Sequence, residues 1–214
     1  MKILVLAAHP DDEVLGMGGT IKKLTSKKNS VHLCVVTEGA SAQYKDKEMI
    51  KIRRDSCIKS GKILGIEKIE FLEFPDMALD TVPHLELNQK IEKIVKNFEP
   101  EIVFTTSQND LNRDHQIVFE STLVATRPHS SKVKKILSYE IPSIAKESFS
   151  PTTYYDISKE FNSKIRALKA YSSEVNEFPH LRSIKYIESL ALVRGAEVGL
   201  KKAEAFRLVR SIEN

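Results

Sequence analysis

Apolar and polar positions alternate along the first two thirds of the chain in a repeating strand and helix pattern. Lys2–Ala8 is a continuous apolar run, typical of a strand covered on both faces of a parallel sheet, and Glu13–Lys28 has helical spacing. Further strands are predicted at Val31–Thr37, Lys68–Leu72, Glu101–Thr105 and Lys134–Tyr139, and further helices at Lys47–Leu64, Leu85–Phe98 and His115–Thr126. This order predicts a Rossmann-like α/β fold with a mostly parallel sheet flanked by helices.

The last third of the chain has a different pattern. From Asp156 onward apolar residues keep helical spacing over Ile157–Tyr171, Ile184–Val193 and Ala203–Ile212, so a helical C-terminal third is predicted. The prolines and polar residues between the predicted elements mark loops at Ala40–Asp46, Pro75–His84, Ser143–Thr153 and Ser172–Arg182. A length of 214 residues favours one domain spanning 1–214.

Charge and composition exclude several classes of protein. The 33 Lys and Arg residues against 29 Asp and Glu give a net charge of +4, and no basic patch with interleaved aromatics indicates nucleic-acid binding. The longest segment without Asp, Glu, Lys or Arg is the nine residues Asn29–Thr37, too short for an integral membrane helix. Three carboxylates directly after the first apolar run argue against a signal peptide. With only two cysteines, a cytoplasmic location is expected, and homo-oligomer formation is left open.

Candidate chemistry begins where the first strand ends. In an open parallel sheet, ligands bind beyond the carboxyl ends of the strands. His9, Asp11, Asp12 and Glu13 lie at that position, with Pro10 between them. An acidic first helical turn is the simpler explanation for the carboxylates, but it does not require the histidine. Imidazole and carboxylate together are half of a zinc site.

A second cluster follows the fourth strand. The segment Asn109–His115 opens the next helix, so His115 is expected at the same sheet edge as His9 and Asp12. Two histidines and one aspartate with an open fourth position form the pattern of a catalytic zinc site. Asp114, next to His115, is a candidate for a carboxylate that supports the metal ligands.

Other sequence features argue against competing cofactors and nucleophiles. Gly16-Met17-Gly18-Gly19 lies inside the first helix, so it predicts close packing of that helix and not a dinucleotide site. No Gly-x-Ser-x-Gly elbow occurs. Two alternatives to a zinc hydrolase remain, namely a Mg²⁺- or Mn²⁺-dependent phosphohydrolase and a non-catalytic sugar- or metal-binding protein.

The chain resembles the PIG-L/LmbE superfamily of zinc-dependent N-deacetylases, and the resemblance spans most of its length. The segments that carry it are AHPDDEVLGMGGT at 8–20, VVTEG at 35–39, RRDSCIKSGKILGI at 53–66, FPDMAL at 74–79, NDLNRDHQ at 109–116 and RGAEVGLKKAEAF at 194–206. The resemblance implies a metal-dependent enzyme that removes acetyl groups from N-acetylated amino sugars similar to N-acetylglucosamine, or from their conjugates. It also implies that His9, Asp12 and His115 bind Zn²⁺ and that Asp11 is the general base.

The chain departs from the family pattern at Asn112. Many members have a histidine there that protonates the leaving group or stabilises the oxyanion, whereas an amide only donates a hydrogen bond. The resemblance therefore leaves the general acid open between Asp11, His129 and His180. Asn112 is predicted to contact the oxyanion, with capping of the following helix as the alternative. The predicted substrate contacts are Arg53, Arg127, Glu140 and Arg182.

Overall fold

The computed structural model describes residues 1–42, 44 and 48–213, which form a seven-stranded sheet with helices on both faces. The strands are β1 (Lys2–Ala7), β2 (Ser30–Thr37), β3 (Lys68–Phe74), β4 (Ile102–Thr105), β5 (Lys135–Tyr139), β6 (Thr153–Asp156) and β7 (Ala203–Ser211). The helices are α1 (Asp12–Ser26), α2 (Glu48–Leu64), α3 (His84–Phe98), α4 (Arg113–Ala125), α5 (Phe161–Leu168) and α6 (Ile184–Ala196). Lys47 and part of the predicted loop Ala40–Asp46 lie outside the described residues. The predicted α/β class is confirmed.

The strand order places the candidate chemistry at a crevice. The order is β3-β2-β1-β4-β5-β7-β6, and the first five strands of the chain are parallel. Strand β1 pairs with β2 on one side and with β4 on the other, so the direction of chain progression reverses there. The helices that follow β1 and β4 cover opposite faces, and ligands bind between such diverging helices.

Two hydrophobic cores cover the two faces of β1. Ile3 and Val5 point into a core with α1, α2, α5 and α6, whereas Leu4 and Leu6 point into a core with α3 and α4. All four side chains are fully buried. The period of two along a strand therefore explains why β1 is apolar at every position.

The last third is helical only in part. Ala203–Ile212, predicted as helical, forms β7, which pairs antiparallel with both β5 and β6. The segment is rich in good helix formers, but β5 needs a partner strand and Phe206 fills the core beside it. The edge strand β6 (Thr153–Asp156) begins at the last residue of the predicted loop Ser143–Thr153 and ends at Asp156, where the predicted helical spacing begins. Tertiary pairing here overrides local propensity.

The glycines of α1 allow close packing, as predicted. A Cβ on Gly16 would lie 2.4 Å from Cδ2 of Tyr139. The helix is interrupted at Met17, where φ is −148°. Strand β7 supplies a hydrogen-bond acceptor for backbone N–H groups next to this interruption. The Glu204 carboxylate accepts hydrogen bonds from the backbone N–H groups of Gly19 (3.0 Å) and Thr20 (2.6 Å). Lys164 forms a buried ion pair with Glu204 at 2.6 Å and also donates to the carbonyl of Leu15.

Both cysteines, Cys34 and Cys57, are buried and free. Burial raises the pKa of each thiol, which keeps both protonated at neutral pH. Within residues 1–42, 44 and 48–213, no helix has the combination of length and apolar character needed to cross a bilayer.

Candidate metal centre and active site

The parallel pairing of β1 with β4 brings the two predicted clusters together. Ile3 pairs with Ile102 and Val5 with Phe104, so both strands end at the same edge of the sheet. His9 follows β1 and His115 lies in the first turn of α4, and Nδ1 of His9 is 3.2 Å from Nε2 of His115. The two imidazoles therefore face each other across the crevice.

Asp12 completes a group of three potential metal ligands. One carboxylate oxygen lies 3.5 Å from His9 Nδ1 and the other lies 3.5 Å from His115 Nε2. The ligand atoms of His9, Asp12 and His115 all lie within 4.8 Å of one another, and the three residues are at most 6% exposed. Two imidazole nitrogens and a carboxylate converge here, and this donor set fits zinc.

Each imidazole is oriented through its other nitrogen. Asp114 Oδ2 lies 3.1 Å from His9 Nε2, and Asp110 Oδ2 lies 2.8 Å from His115 Nδ1. Asp114 also accepts hydrogen bonds from the backbone N–H groups of Met77 and Leu79. Asp114, predicted as a supporting carboxylate, thus contacts His9 across the crevice and not its sequence neighbour. Carboxylates in these positions fix the tautomer and orientation of metal-binding histidines.

Two carboxylates of this centre were not identified from the sequence. Asp110 lies in the segment that carries His115, and only its proximity in sequence could have indicated it. Asp76 belongs to the predicted loop Pro75–His84, and its Oδ1 lies 3.4 Å from His9 Nε2. With His9 and Asp114 it forms a second group of possible ligand atoms within 4.8 Å. The FPDMAL segment carries family resemblance, and that was the available signal for Asp76.

The carboxylates dominate the protonation of the centre. Burial lowers the pKa of His9, but its hydrogen bonds with Asp114 and Asp12 outweigh burial and raise that pKa to about 9. For His115 burial is likewise outweighed, here by Asp12 and Asp110, and its pKa rises to about 10. Burial raises the pKa of Asp12, yet the two histidines hold it well below its usual range. The centre is therefore built to bind positive charge.

Asp11, the predicted general base, is fully buried next to the ligand set. Neither of its carboxylate oxygens makes a hydrogen bond with a residue that the structure describes. Oδ2 lies within ion-pair distance of Arg182 Nη1 (3.2 Å) and Arg53 Nη2 (3.3 Å). Burial raises the pKa of Asp11, and the two arginines oppose this rise. Its φ of 119° is uncommon for a residue with a side chain and is typical of functional sites.

A cleft of about 670 Å³ opens beside Asp11. Arg182, Glu174, Tyr44 and His180 contribute to its lining. Glu174 was not identified from the sequence, because it lies in a polar loop without a motif. Its Oε2 pairs with Arg182 Nη1 at 2.5 Å, and its Oε1 accepts from the Tyr44 hydroxyl at 3.4 Å. The predicted contact Arg182 thus links the cleft to Asp11.

The other predicted substrate contacts have different locations. Arg53 is only 2% exposed and binds backbone carbonyls next to Asp11, so it supports the site from beneath. Glu140 pairs with Arg194 at 2.5 Å beside a neighbouring cleft of about 280 Å³ that Asp110 also lines. Arg127 is exposed and pairs with Glu92 at 3.0 Å. It follows the far end of α4, about 20 Å from the turn that carries His115, and the structure does not bring it to the site.

The two histidines predicted as possible general acids also lie in different places. His129 lies in the exposed segment beyond α4, in a depression with Lys96 and Glu99, and is therefore remote from the metal centre. His180 lines the cleft beside Arg182. Of the two histidines considered as general acids, only His180 is near the site.

Asn112 is the N-cap of α4. Its Oδ1 accepts a hydrogen bond from the backbone N–H of Asp114 at 2.9 Å, and its Nδ2 lies 3.3 Å from Sδ of Met77. This geometry agrees with the alternative role predicted for Asn112, namely capping of the helix that carries His115. The predicted contact with an oxyanion remains a prediction for Nδ2.

The fold and the site define a class: a Rossmann-like α/β protein with a group of three residues that could hold a metal ion at its topological switch point. Comparison with protein families then identifies the family. The PIG-L model, described as GlcNAc-PI de-N-acetylase, matches residues 4–126. The chain belongs to the PIG-L family, and it is an N-deacetylase.

Relatives agree with this assignment. The chain is 28% identical to a diacetylchitobiose deacetylase of Thermococcus kodakarensis over 99% of its own length and 84% of the relative's. It is 35% identical to YaiS, an uncharacterised deacetylase of Escherichia coli, over 80% and 90% of the two chains. The structure of N,N'-diacetylchitobiose deacetylase from Pyrococcus horikoshii superimposes with a TM-score of 0.83 at 24% identity, covering 98% of this chain and 84% of that one. This last similarity shows the common fold.

Proposed function

We propose that this chain is a zinc-dependent hydrolase that removes the acetyl group from an N-acetylated amino sugar similar to N-acetylglucosamine, or from its conjugate. The observation that carries the proposal is the convergence of His9, Asp12 and His115 beside Asp11, a buried carboxylate that accepts no hydrogen bond from the part of the chain that the structure describes. A metal-binding group next to a free base is the minimum that amide hydrolysis by water requires.

The donor set favours zinc over harder cations. His9, Asp12 and His115 would hold the ion, and Asp110 and Asp114 would keep the imidazoles in place. Mg²⁺ prefers more oxygen ligands and fewer imidazoles than this group offers. When bound, zinc supplies Lewis acidity that polarises a carbonyl and lowers the pKa of a coordinated water.

The chain's own residues handle the proton. Asp11 accepts a proton from the attacking water as the water oxygen bonds to the acetyl carbon. When the carbon–nitrogen bond breaks, Asp11 returns that proton to the amine, so acetate and a free amino sugar leave. Arg182 and Arg53 hold the Asp11 carboxylate from one side and favour its charged form before the reaction. Asn112 Nδ2 is the proposed hydrogen-bond donor to the oxyanion.

The cleft indicates the class of substrate. Its volume of about 670 Å³ and its lining by Arg182, Glu174 and Tyr44 suit a small polyhydroxylated ligand that receives several hydrogen bonds. The relative from Thermococcus kodakarensis is described as acting on diacetylchitobiose, a substrate of this kind. Because Glu174 and Arg182 come from the last third and His9 directly follows the first strand, we propose that 1–214 works as a single domain. A cytoplasmic location stays a prediction.

Metal analysis combined with product analysis tests the proposal. Purified protein is assayed for metal content and for release of amine and acetate from N-acetylglucosamine and diacetylchitobiose, with zinc-loaded Asp11→Asn as the matched control. We expect about one zinc per chain and amine release by the wild type only. Phosphate release from sugar phosphates with Mg²⁺ or Mn²⁺ would favour a phosphohydrolase. Sugar binding by the zinc-loaded wild type without amine release would favour a binding protein.

A further inference from the structure

The peptide group between Pro10 and Asp11 is held at both of its polar atoms by buried side chains. Arg53 Nη2 donates to the carbonyl oxygen of Pro10 at 2.7 Å. Glu13 Oε2 accepts from the N–H of Asp11 at 3.2 Å. Arg53 is 2% exposed and Glu13 is fully buried, so neither contact is shared with solvent. With its donor and its acceptor both fixed, this peptide plane cannot rotate freely.

The orientation of that plane determines the φ angle of Asp11. At 119° this angle lies in the region that side chains disfavour, so the conformation persists only where the surroundings impose it. The carboxylate of Asp11 would move away from Arg182 and Arg53 if the backbone relaxed to a negative φ. The clamp on the peptide therefore sets the position of the base.

Glu13 is itself fixed from two other elements. Its Oε1 accepts a hydrogen bond from the hydroxyl of Tyr171 at 2.6 Å and lies 3.4 Å from the hydroxyl of Ser60 in α2. An acidic residue that only complements the helix dipole would need none of these contacts, as the exposed Glu86 in the first turn of α3 illustrates.

We propose that Glu13 is a positioning residue for the general base: together with Arg53 it locks the Pro10–Asp11 peptide and thereby holds the carboxylate of Asp11 against Arg182. The role depends on the reach of the side chain and on a hydrogen-bond acceptor, not on its charge. This inference rests on the proposed role of Asp11 as the base.

Two conservative variants separate reach from charge. Glu13→Gln keeps an oxygen that accepts from the N–H of Asp11 and an amide group that donates to Tyr171, so kcat should stay within about threefold of wild type. Glu13→Asp keeps the charge but is one methylene too short, and a displacement of this size should lower kcat by about 10- to 100-fold. KM and metal content should be unchanged in both. Glu86→Asp is the matched control for the helix dipole and should behave as wild type.

The remaining outcomes are decisive against the inference. If Glu13→Gln loses as much kcat as Glu13→Asp, the charge of Glu13 matters and the positioning role is wrong. If both variants lower only the thermal stability and keep wild-type kcat, the role is purely structural.

Should Glu13→Asp not fold, Tyr171→Phe provides a second test, because it removes the hydroxyl that fixes Glu13. We expect a loss in kcat of about 3- to 10-fold, typical for one hydrogen bond. An unchanged kcat in Tyr171→Phe would then contradict the inference.

A double variant distinguishes this inference from the proposed function. In an Asp11→Asn background, Glu13→Asp should lower kcat no further, because it acts through Asp11. An additive loss would mean that Glu13 acts on another group. If the zinc-loaded wild type releases no amine, the proposed function fails. If Asp11→Asn leaves kcat unchanged, the assignment of Asp11 as the base fails, and the positioning role fails with it. If Asp11→Asn lowers kcat and Glu13→Asp does not, only the positioning role fails.

Discussion

The two junctions that build the metal centre reach the same sheet edge by different means. At the junction between β4 and α4, Asn112 has an ordinary φ of −64° and caps the helix with its own side chain. Asp110 Oδ1 accepts from the N–H of Asn112, so the start of this helix is capped by residues of the turn itself. At the junction between β1 and α1, Asp11 occupies the capping position with a φ of 119° and makes no capping hydrogen bond to the described residues.

The junction between β1 and α1 depends on distant parts of the chain. Its strained residue is held by Arg53 from α2 and by Arg182 from the loop before α6. A locally capped helix start is sufficient to present a metal ligand, because a ligand needs only a direction. A base that must remain free of hydrogen bonds cannot satisfy itself locally, and its stabilisation comes from elsewhere. In the proposed mechanism, the metal ligand His115 and the base Asp11 are therefore supported by different kinds of contact.

Removing one ligand from each junction should have the largest effect. His9→Ala and His115→Ala each delete one of three protein ligands, so metal affinity should fall by more than about 100-fold, the upper range for losing a merely supporting contact. The double variant should be isolated without stoichiometric zinc and without deacetylase activity. Metal analysis after dialysis measures the first and amine release measures the second. Stoichiometric zinc in the folded double variant would contradict the ligand assignment.

Asp11→Asn separates proton transfer from metal binding at the junction between β1 and α1. The amide keeps the size of the side chain but cannot accept the proton of the attacking water, so kcat should fall by about 10²–10⁴-fold with zinc still bound. Steady-state kinetics of the zinc-loaded variant provide the measurement. Near-normal turnover would place the base elsewhere.

Variants of Asn112 test the junction between β4 and α4. Asn112→Ala removes the cap and the amide donor, whereas Asn112→Asp keeps the capping oxygen, removes the donor and adds a negative charge. Loss of the cap should lower the free energy of unfolding by about 1 kcal/mol in Asn112→Ala alone. If Nδ2 donates to the oxyanion, both variants should lose about 10²–10³-fold in kcat. Denaturant titration and kinetics decide, and unchanged kcat in both would make Asn112 a cap only.

The pH dependence of metal binding tests whether His9 and His115, one ligand from each junction, release protons when the metal binds. The pKa values of about 9 for His9 and about 10 for His115 mean that both imidazoles bind protons at neutral pH in the metal-free protein. A metal must displace these protons, so apparent affinity should rise with pH up to about 9, by about tenfold per unit for each proton released. Calorimetry in buffers of different ionisation enthalpy measures the release. A flat affinity between pH 6 and 9 would contradict it.

Local patterns made much of the fold and the grouping of His9, Asp12 and His115 predictable. Strand β1 is apolar on both faces and His9, Asp12 and His115 directly follow strands or open helices, so the sequence alone indicates their common edge. Strand β7 escaped prediction because Ala203–Ser211 has helix-forming residues and its pairing with β5 is a long-range effect. Glu174 escaped for a similar reason, since only the packing of its loop brings it to Arg182.

The ion pair of Lys164 with Glu204 has a consequence for the order of folding. Glu204 binds backbone groups of Gly19 and Thr20, which precede it by 185 and 184 residues. During synthesis on the ribosome, the N–H groups of Gly19 and Thr20 can therefore form these hydrogen bonds only after Glu204 has emerged. Contacts of such high sequence separation slow folding. We expect the first helix of this enzyme to be among the last parts to reach its final conformation.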